Sequence, residues 1–582
     1  MNRSFWAMVT GREPADMRID NVRIVDVFSG EIREGSVSVG QGRILGFSRL
    51  EAREVVDGQG RWLLPGFIDG HVHVESSMLS PSRFAGMVLV SGTTTIVADP
   101  HEIANVAGVS GIRYMLEASR KLPLDMRIML PSCVPAIPVE DAGAVLRAED
   151  IAPLLSDEKV GGLAEMMNVP GVLGGDADVL EKMERTLAAG KWIDGHAPLL
   201  SGMELDAYAA LGVHTDHECT TVEDLKNRVA CGMYVLLREG SAARDLLKLL
   251  PGLTPENQRR CLFCTDDRHS SDILERGHIV NNVRMAVHAG LDPVSAVRMA
   301  TLNAAECYGL NDRGGIAPGR RADLVLVEDL RDFRVLACWA GGEMVAKDGH
   351  LLRELPTVDA GTLMKSVRLA PLPEHPFSVR VPSGRARVIG LLPHSLITEC
   401  LVRPVETGTD GEVDLSRNPG LLKIAVLERH HATGRIGVGL LDGRYGLRNG
   451  AIATTISHDS HNIVVAGDNE DDMLCAVRAL ERMDGGIVMV SGSRVLASLA
   501  LPIGGLMSDR PAEEVSAGLN ELLSLAASHY HIWEGADAFM TLSFLALPVI
   551  PRIKITARGL FDVDAFAFVD VDAERRRVVE HS

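Results

Sequence analysis

The apolar residues of this chain fall into runs of distinct rhythm. Between 19 and 64, IDNVRIVDVFSGEI and GSVSVGQGRILGFS are short β-branched stretches broken by Ser-Gly, Glu-Gly and Gln-Gly, which predicts strands joined by tight turns. RADLVLVEDL and GGEMVAKDGHLL repeat that texture over 314–355. Two β-rich patches flanking one long segment predict a small composite β-sandwich built from 1–64 and 313–360. The segment between, 65–312, behaves differently. Short apolar runs alternate with helical stretches, and each run ends in polar residues: FIDGHVHVE, TTTIVADPHE, MRIMLPSCVP, GGLAEMMN, WIDGHAP, VHTDHE, MYVLLREG and CLFCTDDRH. With His71, Asp99, Ser132, Glu165, His196, His217, Arg238 and Asp266 as markers, the separations are 28, 33, 33, 31, 21, 21 and 28. A strand with its helix takes roughly 30 residues. Eight such units close into a (β/α)8 barrel, whose chemistry sits at the C-terminal strand ends. The alternative is an open doubly wound sheet. Over 363–582 a Pro-rich linker, MKSVRLAPLPEHPFSVRVP, leads into strands and helices such as DDMLCAVRALERM. The predicted class is α/β: a TIM-type barrel, a composite β-sandwich and a C-terminal α+β domain.

Composition narrows the function. A chain of 582 residues, 46% hydrophobic and 24% charged, buries a large core without staples. Its net charge of −19 argues against a nucleic-acid or anionic-membrane surface, both of which need excess Lys and Arg. Nine cysteines show no disulfide spacing and fit a reducing cytoplasm. No apolar run of signal-peptide length occupies Met1 to Arg12, and no stretch of 18 apolar residues predicts a membrane span. The expected partner is a small molecule, and the expected assembly a homodimer.

The strand ends carry candidate chemistry. His71 and His73 flank Val72 at the end of an apolar strand, so period two puts both imidazoles on one face, which in a barrel is the lumen. Two neutral nitrogens at this spacing can grip one divalent ion. Alone the pair is a weak signal. Glu165, His196, His217 and Asp266 end the fourth, fifth, sixth and eighth runs, and each is a type that a divalent metal accepts. The plain alternative is satisfied core or helix-capping residues. Asp99, His101 and Glu102, in DPHE after the second run, bind substrate, donate a proton, orient the imidazoles or simply open a helix. Glu75-Ser76-Ser77 reads as helix capping and Ser241 as an N-cap, while Arg238 and Glu239 face substrate or do not. Asp267 orients Arg268 or caps a helix.

These motifs resemble a known family. PGFIDGHVHVESS, GLAEMMN, DGHAP, TDHE, TDDRHS and GGIAPGRRADLVLV are similar to the amidohydrolase superfamily. DPHEIANV, REGSAA, ERHHATGRIGVGL, SHDSHN and GGLMSD resemble the bacterial two-domain adenine deaminases, and the resemblance runs through nearly the whole chain. It implies two divalent ions: iron, manganese or zinc. It further implies that His71 and His73 hold the first ion, that Glu165 bridges, that His196 and His217 hold the second, and that Asp266 lies beside the metal and its water. GGLAEMMN contains no lysine, so a carbamate bridge is unavailable there.

A bound divalent ion lowers the pKa of water from 15.7 to about 7. The hydroxide attacks an acyl carbon or an amidine-like ring carbon, and the ligands alone do not choose. For adenine the implied product pair is hypoxanthine and ammonia, with Asp266 as proton shuttle and Glu102 and His101 as its alternates. The competing readings are a cyclic amidohydrolase or N-acyl deacetylase on the same barrel, and a non-catalytic scaffold. Two decoys are set aside. Cys261 and Cys264 lack the proline of the zinc-deaminase motif and differ in strand parity, so they read as barrel core. The glycines at 434, 437 and 439 miss the dinucleotide spacing and read as tight strand packing. His430, His431, His458 and His461 form a last cluster. Adjacent histidines on a strand face opposite ways, and a pair three apart shares a face only on a helix. The cluster therefore reads as hydrogen-bonded packing, as a separate metal site, or as a loop that closes over the barrel mouth, with His461 beside the substrate.

Overall fold

The computed structural model describes residues 3–392, 395–532 and 537–575. Eight parallel strands form the central barrel: Phe67–Val72, Thr93–Ala98, Asp125–Leu130, Val160–Met166, Trp192–Gly195, Thr215–Asp216, Tyr234–Arg238 and Cys261–Cys264. The first five are joined in one sheet and the last three in another. His214 N donates to Ile193 O at 2.9 Å across one seam. Across the other, Asp266 N donates to His71 O at 3.0 Å and Thr265 N to Asp69 Oδ1 at 3.1 Å. Gly70 lets that second seam close, since a Cβ there would meet Leu262 Cδ1 at 2.6 Å. All eight marker residues lie at or just beyond the C-terminal ends of these strands.

Inside the barrel Ile68, Val97, Met129, Ala164, Leu236, Leu262 and Cys264 form a closed apolar plug, while Cys261 packs in the outer shell with Phe67, Val72 and Phe263. The opposed parity of the two cysteines follows from the strand's period of two. Helices complete the shell where apolar spacing and caps coincide. In Ala177–Ala188, Val179 and Met183 are buried and the Asp176 carboxylate accepts from Asp178 N and Val179 N, a cap worth about 1 kcal/mol.

The two β-rich patches join in one eight-stranded sheet. Its order is His350–Leu351, Glu343–Lys347, Val335–Ala340, Leu324–Val327, Ala52–Pro65, Ala15–Val25, Ile32–Gly40 and Arg43–Gly46. A bridge between Arg43 and Arg321 folds the sheet over a core that includes Ile19, Val39, Leu63 and Trp339. A second eight-stranded sheet, Thr398–Pro404 to Arg494–Ala500, carries the C-terminal domain with the helix Glu470–Met483 against it. A three-stranded sheet, Ile553–Thr556, Gly559–Asp562 and Ala567–Val569, lies beside it. Gly437 faces that small sheet so closely that a Cβ would sit 1.9 Å from Thr556 O, which explains the glycine. The C-terminal domain rests on the barrel mouth. Leu79 bridges to Ser508, the Ser80 hydroxyl donates to Asp509 at 2.7 Å, and Asn462 donates to Asp141 O at 2.8 Å.

Candidate metal centre

The first barrel strand does not alternate evenly. Ile68 points into the plug and Val72 into the outer shell, so the register breaks between Asp69 and Val72. That break turns His71 and His73 together toward the lumen. A second break, between Leu163 and Met166, lets Ala164 and Glu165 both reach the barrel interior. Such irregularities re-aim side chains, and they recur next to active sites. Asp266 has a left-handed backbone, φ 57°, a strained conformation for a non-glycine residue at such a place.

The sequence-chosen side chains converge. His71 Nε2 and His73 Nε2 face each other at 3.2 Å. Asp266 Oδ1 lies 3.4 Å from the first and 3.1 Å from the second. Glu165 Oε1 is 3.4 Å from His73 Nε2, and its Oε2 is 3.2 Å from His217 Nε2 and 2.7 Å from His196 Nδ1. His71 stacks on His217 at 4.2 Å. Asp99 and His101 join from the second strand's end: His101 Nδ1 is 3.4 Å from Glu165 Oε1 and 3.3 Å from Asp99 Oδ2. Four overlapping groups of this set place their ligand atoms within 4.8 Å of one another: His71, His73 and Asp266; His71, Glu165 and His217; His73, Asp99, His101 and Glu165; His196, His217 and Glu218.

These donors fit a divalent cation. Two imidazole nitrogens facing at 3.2 Å cannot both carry protons, so at least one lone pair points into the space between them. His73 Nδ1 lies 3.0 Å from Asp99 O, the backbone contact that fixes a ring's tautomer and frees Nε2 for a metal. Asp99 Oδ2 and His101 Nδ1 are buried with no hydrogen-bond partner among the described residues, despite their 3.3 Å separation. Burial would push the Glu165 and Asp266 carboxyls up, but the imidazoles around each hold both well below the usual range. Against burial, Glu218 and Glu165 raise His196 to about 9.

The other chosen residues stand further out. Arg238 is buried and donates to Asp266 Oδ2 at 2.8 Å, and it also pairs with Glu218 and with Asp245. It thus fixes the carboxylate beside His71 and His73. Glu239 contributes its carbonyl to Arg268 Nη1 at 3.3 Å. Among the described residues Asp267 neither orients Arg268 nor caps a helix: its carboxylate takes the Ser76 hydroxyl, and Arg268 turns to Glu239 O and Asn282. Ser241 is not the N-cap of its own segment; it accepts His269 N at 2.9 Å, at the start of the helix Ser270–Arg276. Glu75 does cap a helix, that of the next βα-unit. Its Oε1 accepts Ile103 N at 3.1 Å, in the first turn of His101–Ala107. Sequence reasoning missed Glu218, which lies 3.5 Å from His217 Nε2 and pairs with Arg238. The TDHE motif contained it, but its position beside His217 put it on the opposite strand face by simple alternation.

The C-terminal histidines reach this centre as well. His458 Nδ1 is 2.8 Å from Glu102 Oε1, and His461 Nε2 contacts Glu102 Oε2. The pair meets on a turn, not a helix, because His461 adopts φ 52°. His430 Nε2 reaches Ser460 O at 2.7 Å and His431 Nε2 reaches Ala142 O at 3.2 Å, so these two are hydrogen-bonded packing.

A barrel with imidazoles and carboxylates gathered at its strand ends has the architecture of a metal-dependent amidohydrolase, and residues 62–345 match the amidohydrolase family model. Residues 395–567 match the adenine deaminase C-terminal domain. Named adenine deaminases align end to end with this chain. That of Nitratidesulfovibrio vulgaris strain Hildenborough is 58% identical over 97% of this chain and 98% of its own length. That of Desulfatibacillum aliphaticivorans is 47% identical over the same shares, and that of Clostridium acetobutylicum is 43% identical over 96% and 98%. The chain belongs to the adenine deaminase family of the amidohydrolase superfamily.

Proposed function

We propose that this protein hydrolyses adenine to hypoxanthine and ammonia. The observation that carries the reading is the convergence of His71, His73, Glu165, His196, His217 and Asp266 at the strand ends of a chain with both adenine-deaminase domains. These six would hold two divalent ions, with manganese, iron and zinc as candidates. When bound, such ions would supply hydroxide at neutral pH by lowering the pKa of water to about 7. No second reading, neither a cyclic amidohydrolase nor an acyl hydrolase, has an observation of its own.

The residues divide the proton work. Water oxygen bonds to C6 of the purine, and the bond from C6 to the exocyclic nitrogen breaks. Asp266 takes the water proton, since its Oδ1 faces the space beside His71 and His73 while Arg238 holds Oδ2 at 2.8 Å. It passes that proton to the departing amine, which leaves as ammonia. Glu102 and His101 would face the ring, give a proton to the ring nitrogen beside C6 and regain one from the oxygen newly bound to C6, so that one water proton ends on ammonia and the other on the ring. A positioned group of this kind contributes about 10²–10⁴ in rate. Asp99 orients the imidazoles. Plug and C-terminal domain exclude bulk water, which strengthens every charge interaction inside.

We place the enzyme in the cytoplasm as a homodimer acting in purine salvage. Nine free cysteines support the compartment, and no helix among the described residues is long and apolar enough to cross a membrane. The test is direct. Purified chain, stripped with chelator and reloaded separately with manganese, iron or zinc, is given adenine, hydantoin and dihydroorotate. Loss of adenine absorbance with stoichiometric ammonia is expected in the reloaded samples alone. Hydrolysis of a cyclic amide with adenine untouched would overturn the reading.

A further inference from the structure

Glu102 is 2% exposed, and the nearest partners of its two carboxylate oxygens come from the other domain: His458 to Oε1 and His461 to Oε2. The three side chains meet the distance requirement for a metal site. The hydrogen bond on the far side of the His461 ring decides against an ion there. Ser457 N donates to His461 Nδ1 at 3.2 Å, so that nitrogen carries no proton. The proton of the neutral ring therefore sits on Nε2 and points at Glu102. A cation on Nε2 would require a ring with neither nitrogen protonated, a state far from an imidazole's ordinary chemistry. His461 is a hydrogen-bond donor to Glu102.

What this donor steadies lies one step further in. His101 Nε2 is 3.5 Å from Glu102 Oε1, and His101 Nδ1 is 3.4 Å from Glu165 Oε1. A chain of contacts thus runs from the C-terminal domain through Glu102 and His101 to the metal centre. The loop that starts it is firmly held. Arg429, fully buried, donates to Gly504 O at 2.9 Å and to Ser366 O at 3.1 Å while its Nε reaches His461 O. Asn462 is tied to Asp141 O of the barrel at 2.8 Å. His461 keeps its left-handed φ of 52° inside this frame, a conformation that persists only where surroundings over-determine it.

We propose that His461 is a positioning residue of the deaminase site: from the C-terminal domain it holds the Glu102 carboxylate in place, and Glu102 in turn sets the His101 ring against Glu165. This rests on the deaminase reading and deepens it, because it gives the second domain a share in the chemistry. A buried carboxylate stripped of its donor either reorients or is neutralised.

Two substitutions separate the two ends of the ring. Asn in His461→Asn tolerates a left-handed backbone and can still accept Ser457 N, but it is too short to reach Glu102. Gln in His461→Gln reaches Glu102 with an N–H. The metal-loaded proteins are compared for adenine turnover, KM and metal ions per chain, together with Glu102→Gln and the double variant His461→Asn/Glu102→Gln. Expected are a loss in kcat of about 10²-fold for His461→Asn, recovery of about tenfold or more by His461→Gln, and wild-type metal content in both. The double variant should match Glu102→Gln alone, because residues acting through one another are not additive. Loss of a metal ion in His461→Asn would overturn the proposal in favour of a separate metal site. Losses that multiply in the double variant, or unchanged kinetics in His461→Asn, would equally overturn it. Wild-type turnover is read first. If the wild type leaves adenine intact, the deaminase reading fails, and the metal counts still decide between donor and ligand.

Discussion

Two groups of histidines sit on either side of the interface between barrel and C-terminal domain, and they differ in what their nitrogens face. In the barrel, His71 and His73 point at each other, and His196 and His217 point at one carboxylate, Glu165. In the C-terminal domain, His430 faces Ser460 O, His431 faces Ala142 O, and His461 is bonded at both ring nitrogens. The first arrangement leaves lone pairs converging on a shared space; the second leaves every ring satisfied by protein. Burial does not separate them, since His71, His217, His430 and His461 are all below a tenth exposed. Even the direction of titration agrees with the contrast only in part. Burial lowers His430 far below its ordinary range with Arg429 adding to the effect, but it also lowers His71. Counting histidines therefore says little about metal; following the partner of each nitrogen says much.

The comparison is easiest to break at His73. His73→Ala should abolish measurable turnover and reduce the metal content of the purified chain, read by element analysis beside a kinetic assay. Full metal occupancy in that variant would place these imidazoles with the C-terminal group. Asp266→Asn tests the same side more finely. The amide keeps its size and its contact with Arg238 but cannot accept a proton, so kcat should fall by about 10²–10⁴-fold with the fold intact. A loss below tenfold would make Asp266 structural and move the shuttle to Glu102 or His101.

The gathering of these side chains was largely legible because barrel periodicity puts polar strand ends on one rim, and His71, His73, Glu165, His196, His217 and Asp266 all arrive there. Period two does not by itself account for the placement of His71 and His73. Period two alone would continue from Ile68 through Gly70 to Val72, and only the break in the first strand turns 71 and 73 inward. Strand alternation gives no sign of Glu218, which follows His217 after a strand of two residues, too short to impose a period. Asp267 and Ser241 failed for another reason. Their partners, Ser76 and His269, lie on other βα-loops, and no local pattern records which loops touch. The meeting of His458 and His461 on Glu102 depended on a left-handed residue, which a sequence permits but does not announce.

Glu218→Gln sharpens the barrel side at its rim. Glu218 lies 3.5 Å from His217 Nε2 and 3.8 Å from His196 Nδ1, and it shares Arg238 with Asp266. Groups that orient metal-bound imidazoles typically matter by about 10–100-fold in affinity or activity. That loss is expected here with the number of bound ions unchanged. A missing ion would make Glu218 a ligand and enlarge the first group.

The smallest effect belongs to His431→Ala. This residue is exposed, and its Nε2 makes one hydrogen bond, to Ala142 O in the long loop after the third barrel strand. Removing it deletes a single bond between the domains, and water entering the space left by this exposed side chain can replace the donor to Ala142 O. An exchange of that kind costs about 0.5–1.5 kcal/mol. The variant should lose that much in denaturant unfolding, with turnover and metal content at the wild-type value. The contrast with His73 is the point of the measurement, because both are histidines near the same interface with a ring nitrogen close to a backbone carbonyl. His73 spends Nδ1 on Asp99 O at 3.0 Å and keeps Nε2 for the shared space, whereas His431 spends Nε2 on Ala142 O and turns neither ring nitrogen toward a carboxylate or another ring nitrogen within hydrogen-bond reach among the described residues. A fall in metal content in His431→Ala would erase the distinction drawn from ring partners.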